Sequence, residues 1–273
     1  MIVPEVTADD VDPILSVAAR HRELEQIANA ALHLGRLMME CGARIGVVRE
    51  GIRLVALGLG AESVGVRCGY ASIAATVGIG SITVTRMTEV GRHGVDHRLD
   101  LVLRRFALEL RETGGTAAGL QADLHRLVRE TPHHSPWFVA LATGLACAAF
   151  GRLLGMDWAG FAPVLLAGAV GQLGRRMLLR RGMNHYVMAA IVAFLAGSIG
   201  GWGAEILGSG SSEIALTAST LLLVPGVPAT NAQMDIMEGY PTVGSARAVA
   251  VAMIMVFATA GIWCADALMS TLV

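Results

Sequence analysis

The sequence carries few charges for a soluble protein. Of its 273 residues, 16% are charged and 54% are hydrophobic, and the mean hydropathy is +0.58. Soluble globular chains carry about 25% charged residues. Lysine is absent, and all 21 basic residues are arginine. The formal net charge is −1 and the arginines form no basic stripe, which argues against a nucleic-acid partner.

Cysteine pairs and catalytic motifs are also missing. The four cysteines (Cys41, Cys68, Cys147 and Cys264) form no CxxC pair, so we expect neither a zinc site nor a disulfide framework. There is no phosphate-binding loop, HExxH, G-x-S-x-G or kinase motif. We therefore expect no enzyme, no cofactor, no metal and no ATP-driven transport. The opening stretch MIVPEVTADDVD is acidic and has no apolar core, so we expect no cleavable signal peptide.

The charges that are present are unevenly distributed. Before residue 136 lie 15 of the 21 basic and 16 of the 22 acidic residues. This asymmetry predicts a mainly α-helical membrane protein, in which a small cytosolic α/β domain (1–135) precedes a transmembrane helical domain (136–273).

The first domain shows both helical and strand periodicity. Apolar residues at three-and-four spacing predict helices over about 10–42 and 44–57, the first ending at Gly42. Short β-branched runs at 63–68, 73–77 and 81–90 predict two or three antiparallel strands. Helices follow at about 96–113 and 116–131, and Thr116 is placed to cap the second.

The second domain contains five hydrophobic segments, most of them long enough to cross a bilayer. They are 136–155, 160–179, 187–207, 214–225 with a short helix at 230–238, and 246–268. Arginines cluster before the first segment, between the second and third, and at the start of the fifth. The positive-inside rule then predicts a cytoplasmic N-terminal domain and, after five spans, a C-terminus on the outer side of the membrane. Because transporters are often built from two similar halves, five spans predict a second half on another chain or a second copy.

The fourth segment is interrupted at Pro225 and Gly226. Proline lacks an N–H and clashes with the preceding turn, so the helix must break or kink there. The sequence Thr230–Gln233 has the pattern of a capping box, which predicts a short second helix that ends at Gly239. A broken helix at membrane depth can offer the bare N–H groups of its N-terminus to an anion. The alternative is a surface loop between two helices.

Polar residues follow this break at helical spacing. Asn231 and Asp235 are four residues apart and share one face. Asn231 could bind a polar group of a substrate, and Asp235 could carry a proton or pair with an ammonium, because an intramembrane carboxylate is a functional candidate. Alternatively, Asp235 lies at the cytosolic interface, either paired with Arg247 or solvated. Glu238 is a weaker candidate because it adjoins the helix end.

Four further polar residues lie in or beside the other spans. Glu205 and Asp266 fall in the last turns of the third and fifth spans, where each could be a gate or coupling carboxylate, or simply interfacial. Gln172 in the second span and His185 before the third are comparable candidates.

The stretch LLLVPGVPATNAQMDIMEG, followed by GSAR, resembles the signature of the threonine/serine exporter family. The resemblance is to its split, two-chain branch, the YjjP type, which works with a small YjjB-type membrane partner. LHLGRLMMECGAR, REGIRLVALGLG and SPWFVALATGLACAAFGRL resemble other parts of the family. The resemblance covers nearly the whole chain after Glu23. The VPG-x-P-x-x-N-x-x-x-D pattern is specific, whereas the apolar spans are not.

The resemblance implies an inner-membrane exporter of small metabolites that is driven by an ion gradient. Its substrates would be threonine and serine, or dicarboxylates such as succinate, and all of these carry a carboxylate that a helix N-terminus can recognise. Longer members of the family fuse both halves in one chain, so a chain with one half implies a separate membrane partner. The alternative function is a membrane-anchored sensor or scaffold whose cytosolic domain carries the activity.

Overall fold

The computed structural model describes residues 8–132 and 134–272, with side-chain surroundings for 17–132 and 134–271. Most of the stretch that argued against a signal peptide, residues 1–7, lies outside these ranges. The chain forms two compact units. The first joins Thr230–Arg247 to the chain up to Pro132, and the second contains the remainder. The expected boundary at residue 135 therefore leaves out one part of the first unit, which comes from the C-terminal half.

The first unit contains the helices and strands expected from the sequence. They are α1 (Ala8–Glu40), α2 (Ile45–Gly58), β1 (Ser63–Cys68), β2 (Ser72–Ile79), β3 (Ile82–Glu89), α3 (His97–Thr113) and α4 (Ala117–Glu130). Gly42 has a φ of +85°, a left-handed conformation that suits glycine and ends α1 as predicted. Thr116 caps α4, because its Oγ1 accepts a hydrogen bond from the Gly119 N–H at 3.1 Å.

The strands form an antiparallel meander in the order β1-β2-β3. One face of β2 carries Ile73, Ala75 and Val77, which are completely buried. The apolar stripe of α1 is buried in the same core, with Leu24 and Leu34 at 0% exposure. This core matches the period-two and three-and-four patterns of the sequence.

The second unit is helical. It contains α5 (Pro136–Leu153), α6 (Phe161–Arg180), α7 (His185–Ile206), α8 (Ser212–Ser219) and a 3₁₀ turn (Leu221–Leu223). Two further helices, α9 (Gly226–Met237) and α10 (Pro241–Leu272), have residues in both units. Within the second unit α5 and α6 pack closely, since a Cβ at Gly144 would lie 2.2 Å from the Leu165 carbonyl oxygen. Such close approach through small residues is typical of membrane helices.

Three helices in the described ranges are long and apolar enough to cross a membrane, namely Pro136–Leu153, His185–Ile206 and Pro241–Thr271. The bent pair Ser212–Leu223 and Gly226–Met237 would make a fourth. The expectation of five spans is therefore confirmed only in part. The helix α6 is long enough, but the adjacent Arg175 and Arg176 lower its hydropathy. The last helix begins at Pro241, five residues before the predicted start of the fifth span.

The predicted break at Pro225 is present, with a bend of 60° between the two arms. The predicted capping box is wrong, because α9 begins at Gly226 and Thr230 lies inside it. The Pro225 carbonyl already accepts the Ala229 N–H at 3.0 Å, so the helix starts earlier. Pro228 is tolerated there because first-turn N–H groups need no helical partner. The first arm also differs from the expected helix over 214–225, since α8 ends at Ser219 and a 3₁₀ turn follows.

Asp157 connects two loops of the second unit. Its Oδ1 accepts from the Gly160 N–H at 3.0 Å and the Ser209 hydroxyl at 2.8 Å, and its Oδ2 accepts from the Gly210 N–H at 2.8 Å. These hydrogen bonds, the one from Gly160 most, lower the pKa of the Asp157 carboxyl. The α5–α6 and α7–α8 loops are thus held together by one carboxylate.

Candidate functional site

The candidate residues after the break lie together in the first unit, against the turn between α1 and α2. We define the α9 cluster as Asn231, Asp235, Glu238 and Arg247 together with Gly42–Ile45 of that turn. Asn231 and Asp235 share one face of α9, as their spacing predicted. Asp235 is completely buried, and Arg247 is 5% exposed.

Both oxygens of the Asp235 carboxylate are occupied. Asp235 Oδ2 accepts a hydrogen bond from Arg247 Nη1 at 2.7 Å, and Oδ1 accepts from the Ile45 N–H at 2.9 Å. Ile45 is the first residue of α2, where N–H groups have no partner within the helix and carry partial positive charge. The carboxylate therefore caps α2 and neutralises a buried arginine.

Arg247 completes the buried part of the cluster. Its Nη2 donates to the Ala43 carbonyl at 2.9 Å and lies 3.8 Å from the Met39 sulfur. A buried ion pair of this kind contributes little net stability over an apolar pair, but loss of one partner costs about 3–5 kcal/mol. The pair therefore fixes the start of α10 against the α1–α2 turn.

The other two candidates bind the same turn. Asn231 Nδ2 donates to the Gly42 carbonyl at 2.7 Å. Arg44 Nη1 donates to Glu238 Oε1 at 2.6 Å, with both side chains about one-third exposed at 35% and 32%. An ion pair with this exposure is worth about 0–1 kcal/mol. The structure thus brings Asn231, Asp235 and Glu238 together.

The pairing of Asp235 with Arg247 is the alternative that the sequence left open, although the pair is buried rather than solvated. Because Asp235 is completely buried and both its oxygens already accept hydrogen bonds, a solute could reach the carboxylate only if the cluster opened. The sequence could suggest Arg247 as a partner, but it offered no signal for Ile45, which lies 190 positions away.

The start of α9 offers few amides to an anion. The Gly226 N–H donates to the Val224 carbonyl at 2.9 Å and the Ala229 N–H to the Pro225 carbonyl at 3.0 Å. Pro228 has no N–H. In this first turn, at most the Val227 N–H is free to bind an anion. The several unpaired N–H groups that were expected at the break are therefore not present in this turn.

The remaining candidates belong to the second unit. Glu205 is half-buried near the end of α7, and Asp266 is exposed on α10. His185 is the first residue of α7, and Gln172 lies within α6. None of the four belongs to the α9 cluster as defined.

Sequence reasoning missed one residue of the second unit. Arg175 was grouped with the arginines of the connection between the second and third spans, but it lies inside α6, five residues before the helix ends. Its Nη1 donates to the Leu222 carbonyl of the 3₁₀ turn at 3.3 Å. The signal was present, since Arg175 falls within the predicted span 160–179 rather than after it.

Residues 29–269 match the family model described as "Putative threonine/serine exporter". The chain belongs to the threonine/serine exporter family. It is also similar to two proteins named "Probable succinate transporter subunit YjjP". The protein from Klebsiella aerogenes is 37% identical over 112 residues, which are 41% of this chain and 43% of that relative. The protein from Escherichia coli K12 is 36% identical over 112 residues, which are 41% of this chain and 44% of that relative.

These matches cover less than half the length of either relative. No solved structure was found to match the chain. The family, together with the apolar helices, identifies a membrane protein of an exporter family and confirms the resemblance seen in the VPG-x-P-x-x-N-x-x-x-D stretch.

Proposed function

We propose that the chain is one subunit of an inner-membrane secondary transporter that exports small carboxylate-bearing metabolites. Candidate substrates are threonine and serine, or dicarboxylates such as succinate, and export is driven by an ion gradient. The observation that carries this proposal is the family match over residues 29–269. The apolar helices and the helix bent at Pro225 support it, because broken helices are a means by which transporters build solute sites.

The proposed arrangement has five spans, with α6 as the second. The N-terminal domain lies in the cytoplasm and the C-terminus in the periplasm. The arginines near the ends of α4 and α6 support this orientation. The partner is a small YjjB-type membrane protein that supplies a second half, or a second copy of this chain. The word "subunit" in the names of the two relatives supports a multi-chain assembly.

Within this function, we assign the α9 cluster to coupling rather than to direct contact with the solute. Both Asp235 oxygens are occupied, so the cluster must open before any ion or solute reaches them. Opening would free α9 and the start of α10 from the α1–α2 turn, with Pro225 and Gly226 as the hinge. The double variant D235N/R247Q tests this role, since it removes both charges and leaves neither buried alone. Unchanged transport by a folded double variant would contradict coupling.

The exporter itself is tested by reconstitution. The chain and a YjjB-type partner are placed in proteoliposomes, together and separately, and counterflow of serine, threonine and succinate is measured. We expect proteoliposomes that hold both chains to transport at least one of these three solutes. If protons drive export, a protonophore should abolish export against a concentration gradient. The alternative of a sensor or scaffold predicts no counterflow, and predicts that a simple membrane anchor can replace all the spans.

A further inference from the structure

Arg175 is a charged residue inside a helix that we assign to the membrane. Its side chain is half-buried, and its one hydrogen bond in the described ranges is from Nη1 to the Leu222 carbonyl, at 3.3 Å. A guanidinium has five N–H donors. No carboxylate of the described residues lies within ion-pair distance of it. Within the described residues, most of the N–H donors of Arg175 therefore have no hydrogen-bond partner, and its charge has no counter-charge.

The Leu222 carbonyl is available because the helix breaks next to it. In a continuous helix it would accept the N–H of Gly226. Here Gly226 donates to Val224 instead, and the 3₁₀ turn uses the Leu221 carbonyl for Val224. Arg175 thus satisfies a backbone group left over by the interruption at Pro225.

Close packing brings the turn within reach of Arg175. A Cβ at Gly171 would lie 2.9 Å from Cδ2, at the end of the Leu222 side chain, so this side chain packs directly against α6 at the glycine. Gly171 lies about one helical turn before Arg175 and on nearly the same face. The position of the guanidinium beside the break is therefore built into the packing of α6.

A positive charge in this position is costly without an anion. On insertion scales an arginine at the centre of a span costs about 3 kcal/mol, and charged residues within spans usually mark solute or ion pathways. Arg175 lies five residues before the end of α6, so its cost is smaller than this mid-span value. Arg247 shows the contrasting arrangement in this chain, since its charge is matched by Asp235. Arg175 has a carbonyl in place of a carboxylate.

We propose that Arg175 binds the carboxylate of the transported metabolite beside the helix break. The proposal rests on the proposed function and names the residue that recognises its substrate. A guanidinium binds a carboxylate through two parallel N–H···O bonds, which a single ammonium cannot do. Gln172 lies three residues earlier on the same face and is placed to bind a second polar group of the solute. The ligand class is therefore an amino acid or a dicarboxylic acid.

The test compares R175Q with R180Q in proteoliposomes that hold the chain and its partner. Arg180 is exposed at the last residue of α6, so both variants remove one charge near the same helix end. The probes are labelled serine and succinate. We expect R175Q to raise the half-saturation concentration by about 10- to 100-fold, the usual effect of losing a charge-assisted hydrogen bond. R175K should fall between R175Q and the wild type, and R180Q should match the wild type. Equal half-saturation for R175Q and the wild type would overturn the proposal.

A second measurement uses the wild-type chain with its partner and does not depend on folding of the variants. Phenylglyoxal modifies accessible arginines, and peptide mass spectrometry reports the modification of each one. Serine or succinate should protect Arg175 but not Arg180, and the uncharged analogue succinamide should protect neither. Absence of protection would overturn the carboxylate site. Protection without any transport would instead leave the site standing and contradict the exporter.

Discussion

Arg247 and Asp235 form a buried ion pair across the turn that joins α9 to α10. Arg247 Nη1 lies 2.7 Å from Asp235 Oδ2, and their side chains are 6% and 0% exposed. Through this ion pair and its hydrogen bonds, the end of α9 and the start of α10 are both connected to the α1–α2 turn. Its stability therefore determines whether these three segments remain together.

We predict that Asp235→Asn destabilises the protein more than removal of both charges does. An asparagine can still accept from the Ile45 N–H, but it leaves Arg247 buried without a counter-charge, which costs about 3–5 kcal/mol. Unfolding of the detergent-purified protein followed by circular dichroism measures the change. The double variant D235N/R247Q should recover most of the loss. Equal stability of Asp235→Asn and the wild type would show that the pair does not hold the cluster together.

The local part of this arrangement was predictable and the tertiary part was not. Gly42 and Pro225 act on the backbone of their own neighbours, so a helix end and a helix break could be assigned from sequence alone. The start of α9 was predicted wrongly because the prediction relied on the capping pattern at Thr230. The helix instead begins at Gly226, and its first turn includes a hydrogen bond from the Ala229 N–H to the Pro225 carbonyl, which the capping pattern does not reveal. The partner of Asp235 on α2 could not be predicted, because no local rule links residues 190 positions apart.

Arg175 illustrates the same limit in the second unit. The hydropathy pattern placed a helix over 160–179, and α6 spans Phe161–Arg180. The arginines near the end of this helix were assigned to the connection between the second and third spans, because positive charge is common at the cytoplasmic ends of spans. The hydrogen bond from Arg175 to the Leu222 carbonyl joins residues 47 positions apart, so it depends on tertiary packing that the hydropathy pattern does not specify.

Gly239 should be sensitive to substitution because of its backbone conformation. It has a φ of +88°, and it ends α9 with hydrogen bonds from Gly239 N–H to the Ile236 carbonyl and from Tyr240 N–H to the Asp235 carbonyl, at 3.1 and 2.7 Å. Gly239→Ala should lower the free energy of unfolding by roughly 1–2 kcal/mol, the usual cost of a left-handed L-residue.

The matched control is Gly226→Ala at the start of the same helix. A Cβ there would meet no atom within 4 Å, and its φ is not positive. At a compatible backbone conformation, replacing glycine by alanine stabilises a protein by about 0.4–1 kcal/mol because it lowers the conformational entropy of the unfolded chain, so this variant should be at least as stable as the wild type. If both alanines proved neutral in thermal unfolding, the conformational explanation for Gly239 would be wrong.

Asp157 should make the two loops that it connects sensitive to acid. Hydrogen bonds lower the pKa of its carboxyl below the ordinary value, so its stabilising effect is fully present above the unfolded-state pKa, about 3.9. The effect is lost as the pH falls through the lower folded-state pKa. Hydrogen exchange of the Gly160 and Gly210 amides, after correction for intrinsic rates, should lose protection at acid pH. Asp157→Asn should weaken that protection at neutral pH, whereas Glu213→Gln should not.

Cys41 provides a reporter for opening of the α9 cluster. It precedes Gly42, is 7% exposed, and burial raises the pKa of its thiol to about 12. Because the thiolate is the reactive form, Cys41 should label very slowly with a maleimide near neutral pH. A cysteine introduced at Met87, which is 70% exposed, should label rapidly and serves as the reference. In D235N/R247Q the Cys41 rate should increase relative to that reference, because Arg247 no longer binds the Ala43 carbonyl. An unchanged ratio, read by peptide mass spectrometry on folded protein, would mean that the turn stays closed without the ion pair and that Asp235 and Arg247 do not control it.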